Sequence, residues 1–478
     1  MRRLTIFILL ALLIAVSAGA DTIVLKSGRR ISATNVVEEG DRVYFETPSG
    51  RLSFPKASVE RIERSGESSW GAGASGDGKS VDLAAARPAV NPAEGYEDIL
   101  RATVKDGSLD GEYIAKLESQ AGGGAAAVAR VVAAHHAAAQ FELKKGALDE
   151  AIAHYRRALN YAPEHVNVLL SVAYLHLQKS EYSAALDYLE RANRVAPDNA
   201  DVAKLMGWAY YGSNKIEQAV REWKRAFKLR PDIETQQALL KAERDKEAEE
   251  KFKENESAHF NLRYDGDAAP GLAREVLKEL EAHFTRVESE LNYTPAESIG
   301  VILYTLQAFH DVTQAPGWSG ALNDGRIRVP VQGLTSMTQR LSSTLMHELV
   351  HSFVFQKTRG RCPVWLNEGI AQWLQGRRSE DNAAALVEIY EKQMSVSLGM
   401  LEGYWTGLDP NGAAYAYAWA LGATEYIVRS SGMRDIERLL DRLKTEPSAE
   451  AALRSVLRSG YADIEMETIK YLRKAYLR

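Results

Sequence analysis

A 34-residue period in the middle of the chain constrains its fold more than any other feature. Pro163, Pro197 and Pro231 are each separated by 34 residues. Small and bulky residues recur with the same step, at Ala151, Ala185 and Ala219, at Ala158, Ala192 and Ala226, and at Tyr155, Leu189 and Trp223. A fixed period of this length predicts a solenoid, because each repeated unit can bury its apolar face only against its neighbours.

Each block of the period has the pattern of a helix, a turn and a second helix. The alanines let paired helices approach closely, and the proline ends the second helix because it lacks an amide hydrogen. This pattern resembles the tetratricopeptide repeat. We expect an α-helical solenoid over residues 96–240, with repeats at about 132–165, 166–199 and 200–233 and capping helices on either side. The resemblance implies a concave surface that either docks a protein partner or spaces two domains.

The segment "STLMHELVHSFVF", residues 343–355, suggests a metal site. The surrounding sequence contains neither glycine nor proline and is predicted to be helical. His347 and His351 are four residues apart, so they share one helix face and both imidazoles can reach a single ion. Glu348 would lie beside that ion, where it can take a proton from water. The alternative is a core helix that spells the motif by chance.

A carboxylate further along the chain favours the metal site. "PVWLNEGIAQWL", residues 363–374, begins with a helix-stopping proline and continues into a new helix that carries Glu368. The intervening residues are enough for the chain to turn back towards the two histidines. Two imidazoles, one carboxylate and an open fourth position are typical of catalytic zinc sites rather than of closed structural ones.

The motifs "HELVH" and "WLNEGIA" together resemble those of the gluzincin metallopeptidases, and their spacing is similar to that of peptidase MA-like domains joined to tetratricopeptide repeats. The resemblance implies a C-terminal α+β zincin-like domain over residues 258–478. In it, His347, His351 and Glu368 would bind Zn²⁺, and Glu348 would be the general base. The spacing is shorter than in aminopeptidase-type gluzincins, so endopeptidase and exopeptidase activity both stay open.

Further residues are candidates for supporting roles in that site. The resemblance implies a tyrosine from a downstream helix that stabilises the oxyanion, with Tyr417 as the first choice and Tyr415 as the alternative; both could equally pack a helix onto the core. It also implies an edge strand within "WSGALNDGRIRVPV", residues 318–331, that pairs with extended substrate. We expect His310 to be structural and the single cysteine, Cys362, to lie outside the site.

The remaining segments complete a multidomain organisation. Residues 1–20 have the basic start, short apolar run and small-residue end of a signal peptide, with an N-terminal membrane anchor as the alternative. Residues 21–64 alternate in the manner of a small β-strand module, and residues 65–95 have the composition of a flexible linker. The interleaved charges of residues 241–257 suggest a solvated connecting helix.

These patterns predict a zinc-dependent metallopeptidase that hydrolyses peptide bonds outside the cytoplasm, in the periplasm or extracellular space. The expected partners are a protein or peptide substrate and a protein bound to the repeats. No stable membrane insertion is expected after signal cleavage, and the net charge of −5 gives no indication of nucleic acid binding. The alternative is a non-catalytic extracytoplasmic repeat scaffold, or an assembly factor, whose peptidase-like domain is inert or gated.

Overall fold

The structure is a computed structural model. It describes residues 21–25, 30–39, 42–47, 50–56, 59–63, 96–105, 107–265, 270–313, 321–331, 333–403, 405, 408 and 410–477. The predicted signal peptide at 1–20 and the predicted linker at 65–95 lie outside the described residues. The chain divides into two compact units, one that contains the described residues between 21 and 63 and a larger one that contains the helical array and the C-terminal region.

The N-terminal unit contains five antiparallel strands. In chain order these are β1 (Asp21–Leu25), β2 (Arg30–Glu39), β3 (Arg42–Thr47), β4 (Gly50–Pro55) and β5 (Val59–Glu63). They form one sheet in the order β4-β3-β2-β1-β5. Short strands separated by turn residues therefore account for the alternating pattern of this segment.

The larger unit begins with a helical array. Its elements are α1 (Tyr96–Thr103), a short hairpin of β6 (Val104–Lys105) and β7 (Ser108–Leu109), α2 (Gly111–Ser119), α3 (Ala125–Lys144), α4 (Leu148–Tyr161), α5 (Val166–Gln178), α6 (Tyr182–Val195), α7 (Ala200–Gly212), α8 (Ile216–Leu229) and α9 (Ile233–Glu249). The helices α3–α4, α5–α6 and α7–α8 pack as successive pairs. The recurring alanines and bulky residues are buried between them. Removal of these apolar side chains from water stabilises the stacked pairs.

A mixed sheet follows the array. Its strands are β8 (Phe252–Glu256), β9 (Phe260–Asp265), β10 (Ile299–Tyr304), β11 (Leu322–Asn323) and β12 (Ile327–Pro330), arranged in the order β11-β12-β10-β9-β8. The three central strands are parallel, and the two edge strands run antiparallel to them. Helices α10 (Pro270–Leu291) and α11 (Leu306–Thr313) connect the parallel strands. The central strand β10 is buried along its whole length, as expected for a parallel strand covered on both faces.

Helices make up the rest of the C-terminal region. They are α12 (Gln339–Thr358), α13 (Val364–Leu374), α14 (Ala383–Glu391), α15 (Pro410–Ser431), α16 (Met433–Leu443), α17 (Ala449–Leu457) and α18 (Tyr461–Tyr476). Helix α12 packs against α10 and the β11–β12 edge of the sheet, and α13 packs between α12 and α15. Among the described residues, no helix is both long and apolar enough to cross a bilayer.

The prediction of a solvated connecting helix over residues 241–257 is wrong. Helix α9 continues only to Glu249, and Phe252–Glu256 form strand β8. Asp245 and Glu249, on α9, are buried rather than solvated. Burial of these carboxylates is tolerated because arginines on the sheet pair with them, which offsets the loss of hydration.

The turns inside the three repeats also contact the C-terminal region. Gly146, Ser180 and Asn214, which are 34 residues apart, all adopt a positive φ in these turns. Near them, the Gly146 carbonyl accepts a hydrogen bond from Arg359 at 3.2 Å, Ser183 donates to Glu297 through its amide at 2.8 Å, and Asn214 donates to Asn261 at 2.8 Å. One edge of the array therefore contacts the C-terminal region in each of the three repeats.

Candidate metal centre

Helix α12 holds the two histidines rigidly. The Thr338 hydroxyl accepts a hydrogen bond from the Leu341 amide at 3.1 Å and caps the start of the helix. Leu345, Leu349 and Phe353 are fully buried on its apolar side. The expected helix over this motif is therefore present, and its packing fixes the direction of the polar side chains.

The structure brings His347, His351 and Glu368 together. Nε2 of His347 lies 3.3 Å from one carboxylate oxygen of Glu368, and Nε2 of His351 lies 3.6 Å from the other. One donor atom from each of the three side chains falls within 4.8 Å of the other two, which makes this a group that can hold a metal ion. Both nitrogens of His347, Nε2 of His351 and Oε2 of Glu368 are buried without a hydrogen-bond partner. Such orphaned buried atoms are costly unless they have a ligand.

Neighbouring residues orient the histidines and their helix. Nδ1 of His351 lies 3.0 Å from the Asn367 side-chain oxygen, and a proton on Nδ1 leaves the lone pair of Nε2 directed towards Glu368. The side-chain amide of Asn323 donates to the backbone carbonyl oxygen of Glu348 and to the Ser352 hydroxyl, both at 2.7 Å. These contacts were not anticipated from the sequence, although Asn367 immediately precedes Glu368.

Burial controls the ionisation of the cluster. It lowers the pKa of His347 to about 3, with a smaller effect from the positive charge of Arg377. Burial also lowers the pKa of His351, an effect that Glu368 opposes. The pKa of Glu368 rises to about 7, and that of Glu348 rises well above its ordinary value, mainly because both carboxyls are buried. Both imidazoles are therefore neutral at neutral pH, the form that binds metals.

The position of Glu368 depends on an unusually close helix crossing. A Cβ atom at Gly369 would overlap Thr424 Oγ1 and lie 2.5 Å from the Ala420 carbonyl oxygen. Only glycine therefore allows α13 to approach α15 so closely. Gln372, one turn beyond Glu368, donates to the Tyr417 carbonyl at 3.0 Å across the same crossing. The glycine in "NEGIA" is the sequence signal that could have predicted this contact.

The two candidate tyrosines occupy different surroundings. Tyr417 is buried, and the pKa of its hydroxyl is raised by that burial and by the negative charges of Glu368 and Glu348. Its ring packs edge-on against Trp405. The Tyr415 hydroxyl instead accepts a hydrogen bond from the Val396 amide at 3.2 Å. The negative charges of Glu368 and Glu348 raise the pKa of Tyr417, whereas the carboxylate that raises the pKa of Tyr415 is Glu465.

The other sequence candidates lie outside the cluster. His310 is on α11, which packs on α9 and β12. Cys362 is only partly buried by its neighbours in the loop between α12 and α13, and it is not part of the three-residue group. The expected edge strand is β11, whose residues Leu322–Asn323 pair with β12 and lie beside α12.

A separate cavity of about 490 Å³ opens on the helical array. It is lined by leucines and by uncharged polar or aromatic side chains, including Tyr96, His136, Gln140, Tyr155, Tyr174 and Gln178. These residues come mainly from α3, α4 and α5. A lining of apolar side chains with a few hydrogen-bonding groups is typical of binding pockets.

Comparison with known families identifies the array. The tetratricopeptide repeat model matches residues 142–207 and 176–244. The prediction of tetratricopeptide repeats is therefore confirmed, and repeats of this type serve in protein docking. No curated protein matches the chain significantly.

Proposed function

We propose that the C-terminal region is a zinc-dependent metallopeptidase with a zincin-like architecture. One observation carries the proposal: His347, His351 and Glu368, from two different helices, converge within 4.8 Å of one another in a buried cluster. Glu348 follows the first histidine and is itself buried. Two imidazoles with a carboxylate, and a second carboxylate beside them, suit metal-assisted hydrolysis.

The residues present fit a zinc ion. Four atoms of the cluster that could coordinate a metal are buried without a hydrogen-bond partner. A divalent cation would satisfy the three of them that converge. The donors are nitrogen and carboxylate oxygen, which zinc accepts readily, and the three protein ligands leave a fourth position for substrate. When bound, zinc would supply Lewis-acid polarisation of the scissile carbonyl and would lower the pKa of water.

The chain's own residues would carry the proton transfers. Glu348, which is buried and directly follows the ligand candidate His347, is suited to accept a proton from the attacking water and to deliver it to the leaving amine. The Tyr417 hydroxyl would donate a hydrogen bond to the oxygen that gains negative charge. Strand β11 would bind extended substrate through main-chain hydrogen bonds, without strict sequence preference.

The repeats would recruit the substrate or a partner protein. Their cavity of about 490 Å³ has the aromatic and amide side chains that suit a polypeptide segment. The signal-like sequence of residues 1–20 supports action outside the cytoplasm. Docking on the array would raise the local concentration of substrate near the proposed site.

Two variants and a metal assay test the proposal. Purified protein is expected to contain one zinc per chain by elemental analysis and to digest casein, with loss of digestion after chelation and recovery on addition of zinc. Glu348→Gln should keep the zinc and lose turnover, because the metal ligands remain while the base is removed. His347→Ala should lose both.

Other results would contradict the proposal. Casein digestion by Glu348→Gln at the wild-type rate would exclude the role assigned to the glutamate. Zinc binding without hydrolysis of any unfolded protein would instead favour a scaffold with an inert domain. Glu380→Gln, at an exposed position, is the matched control and should leave zinc content and digestion unchanged.

A further inference from the structure

Helix α9 belongs to two hydrophobic cores at once. Ala238 and Ala242, in its middle part, pack in the core of the repeats. Ala248, near its end, packs against the cluster of buried residues that includes Ile302 and Tyr304 of the sheet. The last helix of the array therefore also covers the sheet that carries β11.

One face of α9 is charged and buried against strand β12. Lys241, Asp245 and Glu249 follow at four-residue spacing and so lie on a single helix face. Arg328 binds Asp245 through two nitrogens, at 2.8 Å and 2.9 Å. Arg326 donates to Glu249 at 2.6 Å. Two-point contacts of this kind fix the direction as well as the distance between two elements.

The same network reaches the turn between β11 and β12. Asp324 in this turn is buried, and the Lys241 ammonium lies 2.6 Å from one of its carboxylate oxygens. Arg328 donates to the other oxygen at 3.0 Å. A lysine of the array and an arginine of the sheet therefore hold the turn from two sides.

The neighbouring residue of the turn contacts the helix of the candidate metal centre. Asn323 donates to the Glu348 carbonyl oxygen and to the Ser352 hydroxyl, both at 2.7 Å. Its side-chain oxygen accepts from the Gly325 amide at 3.1 Å, which fixes the orientation of the amide. A continuous series of polar contacts thus runs from Lys241 through the turn to Glu348.

We infer that Asn323 and Asp324 are positioning residues through which the repeat array holds β11 and Glu348 in their relative places. The array would then be an integral part of the catalytic geometry as well as a docking surface. The catalytic consequence rests on the proposed peptidase function, whereas the mechanical link from α9 to α12 does not. The two can therefore be tested separately.

Substitution of Lys241 in the full-length protein tests the link. Lys241→Met removes the ammonium from Asp324 and keeps the length of the side chain. Lys246→Met is the matched control, because Lys246 is exposed on the same helix. Hydrogen exchange of metal-free protein, followed by mass spectrometry, is expected to be at least threefold faster over residues 343–355 in Lys241→Met and unchanged in Lys246→Met. Lys241→Arg restores a cation and is expected to restore slow exchange.

A second variant removes the contacts of Asn323 with α12, at the other end of the series. Asn323→Ala should speed exchange over residues 343–355 by a similar factor while exchange in α9 stays slow. The double variant should exchange no faster than Asn323→Ala alone, because both changes interrupt one path. Unchanged exchange over 343–355 in Lys241→Met, or additive effects in the double variant, would overturn the inference.

Activity measurements give a separate readout. If casein is hydrolysed, Lys241→Met is expected to lower kcat about fivefold, with KM within twofold and zinc content unchanged, because Glu348 would be displaced without loss of the metal ligands. If wild-type protein hydrolyses nothing, the proposed function fails, and the exchange data still decide whether the array holds α12.

Discussion

At the scale of single residues, burial is the dominant influence on the candidate metal centre. His347, Glu348 and Glu368 are each about 1% exposed. Low solvent exposure disfavours the charged form of each group, so the pKa values of the histidines fall and those of the carboxyls rise. A cation at this position would reverse the effect on the carboxyls, because it stabilises their ionised form.

Tyr417 and Tyr415 provide a matched pair for testing the oxyanion role. Tyr417→Phe removes a buried hydroxyl whose pKa is raised by the charges of Glu368 and Glu348. If this hydroxyl has the proposed oxyanion role, its loss is expected to lower kcat by about a hundredfold. Tyr415 lies on the same helix, and its hydroxyl accepts a hydrogen bond from the Val396 amide. Tyr415→Phe removes that hydrogen bond and should leave kcat within about twofold. Equal effects of the two changes on casein hydrolysis would assign both tyrosines to packing.

The raised pKa of Glu368 predicts that metal-free protein becomes less stable to unfolding as the pH rises. The pKa of Glu368 is about 7 in the folded state, above its ordinary value of 4.5. The protonated carboxyl therefore contributes to the free energy of unfolding below pH 4.5, and this contribution is lost as the pH rises through 7. Glu368→Gln removes this dependence. Relative to wild type, the chelated variant is therefore expected to gain about 3 kcal/mol in free energy of unfolding between pH 4.5 and pH 8.

Urea unfolding at the two pH values measures this difference. Glu380→Gln, at an exposed position, should follow the wild-type pH dependence. Addition of zinc should stabilise wild type more than Glu368→Gln, because ligand binding to the folded state adds to its stability. Parallel pH profiles for wild type and Glu368→Gln would show that ionisation of Glu368 is not coupled to folding.

At the scale of elements, the metal centre depends on how α12, α13 and α15 cross. The two histidines come from one helix, but Glu368 comes from the next, and Tyr417 comes from a third. Gly369 allows α13 to approach α15 closely, because a Cβ atom there would lie 2.5 Å from the Ala420 carbonyl oxygen. We therefore expect the placement of Glu368 to depend on this crossing.

Two glycine substitutions test this crossing. In Gly369→Ala the new methyl group would overlap Thr424 and lie 2.5 Å from a backbone oxygen, so the helices must separate. A loss of about 1–3 kcal/mol in free energy of unfolding is expected, together with weaker zinc binding. In the control Gly422→Ala the nearest atom would be 3.5 Å away, and stability should change by less than about 1 kcal/mol. Thermal unfolding and zinc titration would measure both. Wild-type zinc affinity in Gly369→Ala would contradict the role of the crossing.

At the scale of the whole larger unit, the array and the C-terminal region form one packed body. Each of the three repeats contacts the C-terminal region, through Gly146, Ser183 and Asn214, and α9 contributes to both cores. Arg328 contacts Asp245 on α9, Asp324 beside β11 and the hydroxyl groups of Tyr211 and Tyr304. We therefore expect cooperative unfolding of repeats and sheet.

Arg328→Leu tests this cooperativity. The change leaves Asp245 and Asp324 buried without their main partner, which is expected to cost about 3–5 kcal/mol. Hydrogen exchange in α5, which follows the repeats, and in β10, which follows the sheet, should report the same shift in urea midpoint. Arg438→Leu removes an exposed ion pair with Asp435 and should cost less than about 1 kcal/mol. A midpoint shift confined to one region would exclude a single cooperative unit.

The 34-residue period and the spacing of His347 and His351 were sufficient to predict the repeats and the shared helix face. Both depend on local geometry: backbone hydrogen bonds fix the helical rise and turn, so residues four apart share a face whatever surrounds them. Local patterns do not determine which distant charged residues meet.

The tertiary structure decided the features that depend on contacts between distant elements. Residues 241–257 have the composition of a solvated helix, yet Asp245 and Glu249 are buried because Arg326 and Arg328, about 80 positions further along the chain, pair with them. Likewise, α13 packs closely on α15 because Gly369 has no side chain to meet Thr424 and the Ala420 carbonyl oxygen. The sequence alone determined the repeats and the paired histidines. Only the packing of elements against one another decided where the third ligand candidate, Glu368, lies and how α9 meets the sheet, because such contacts depend on complementary shape and charge across the fold.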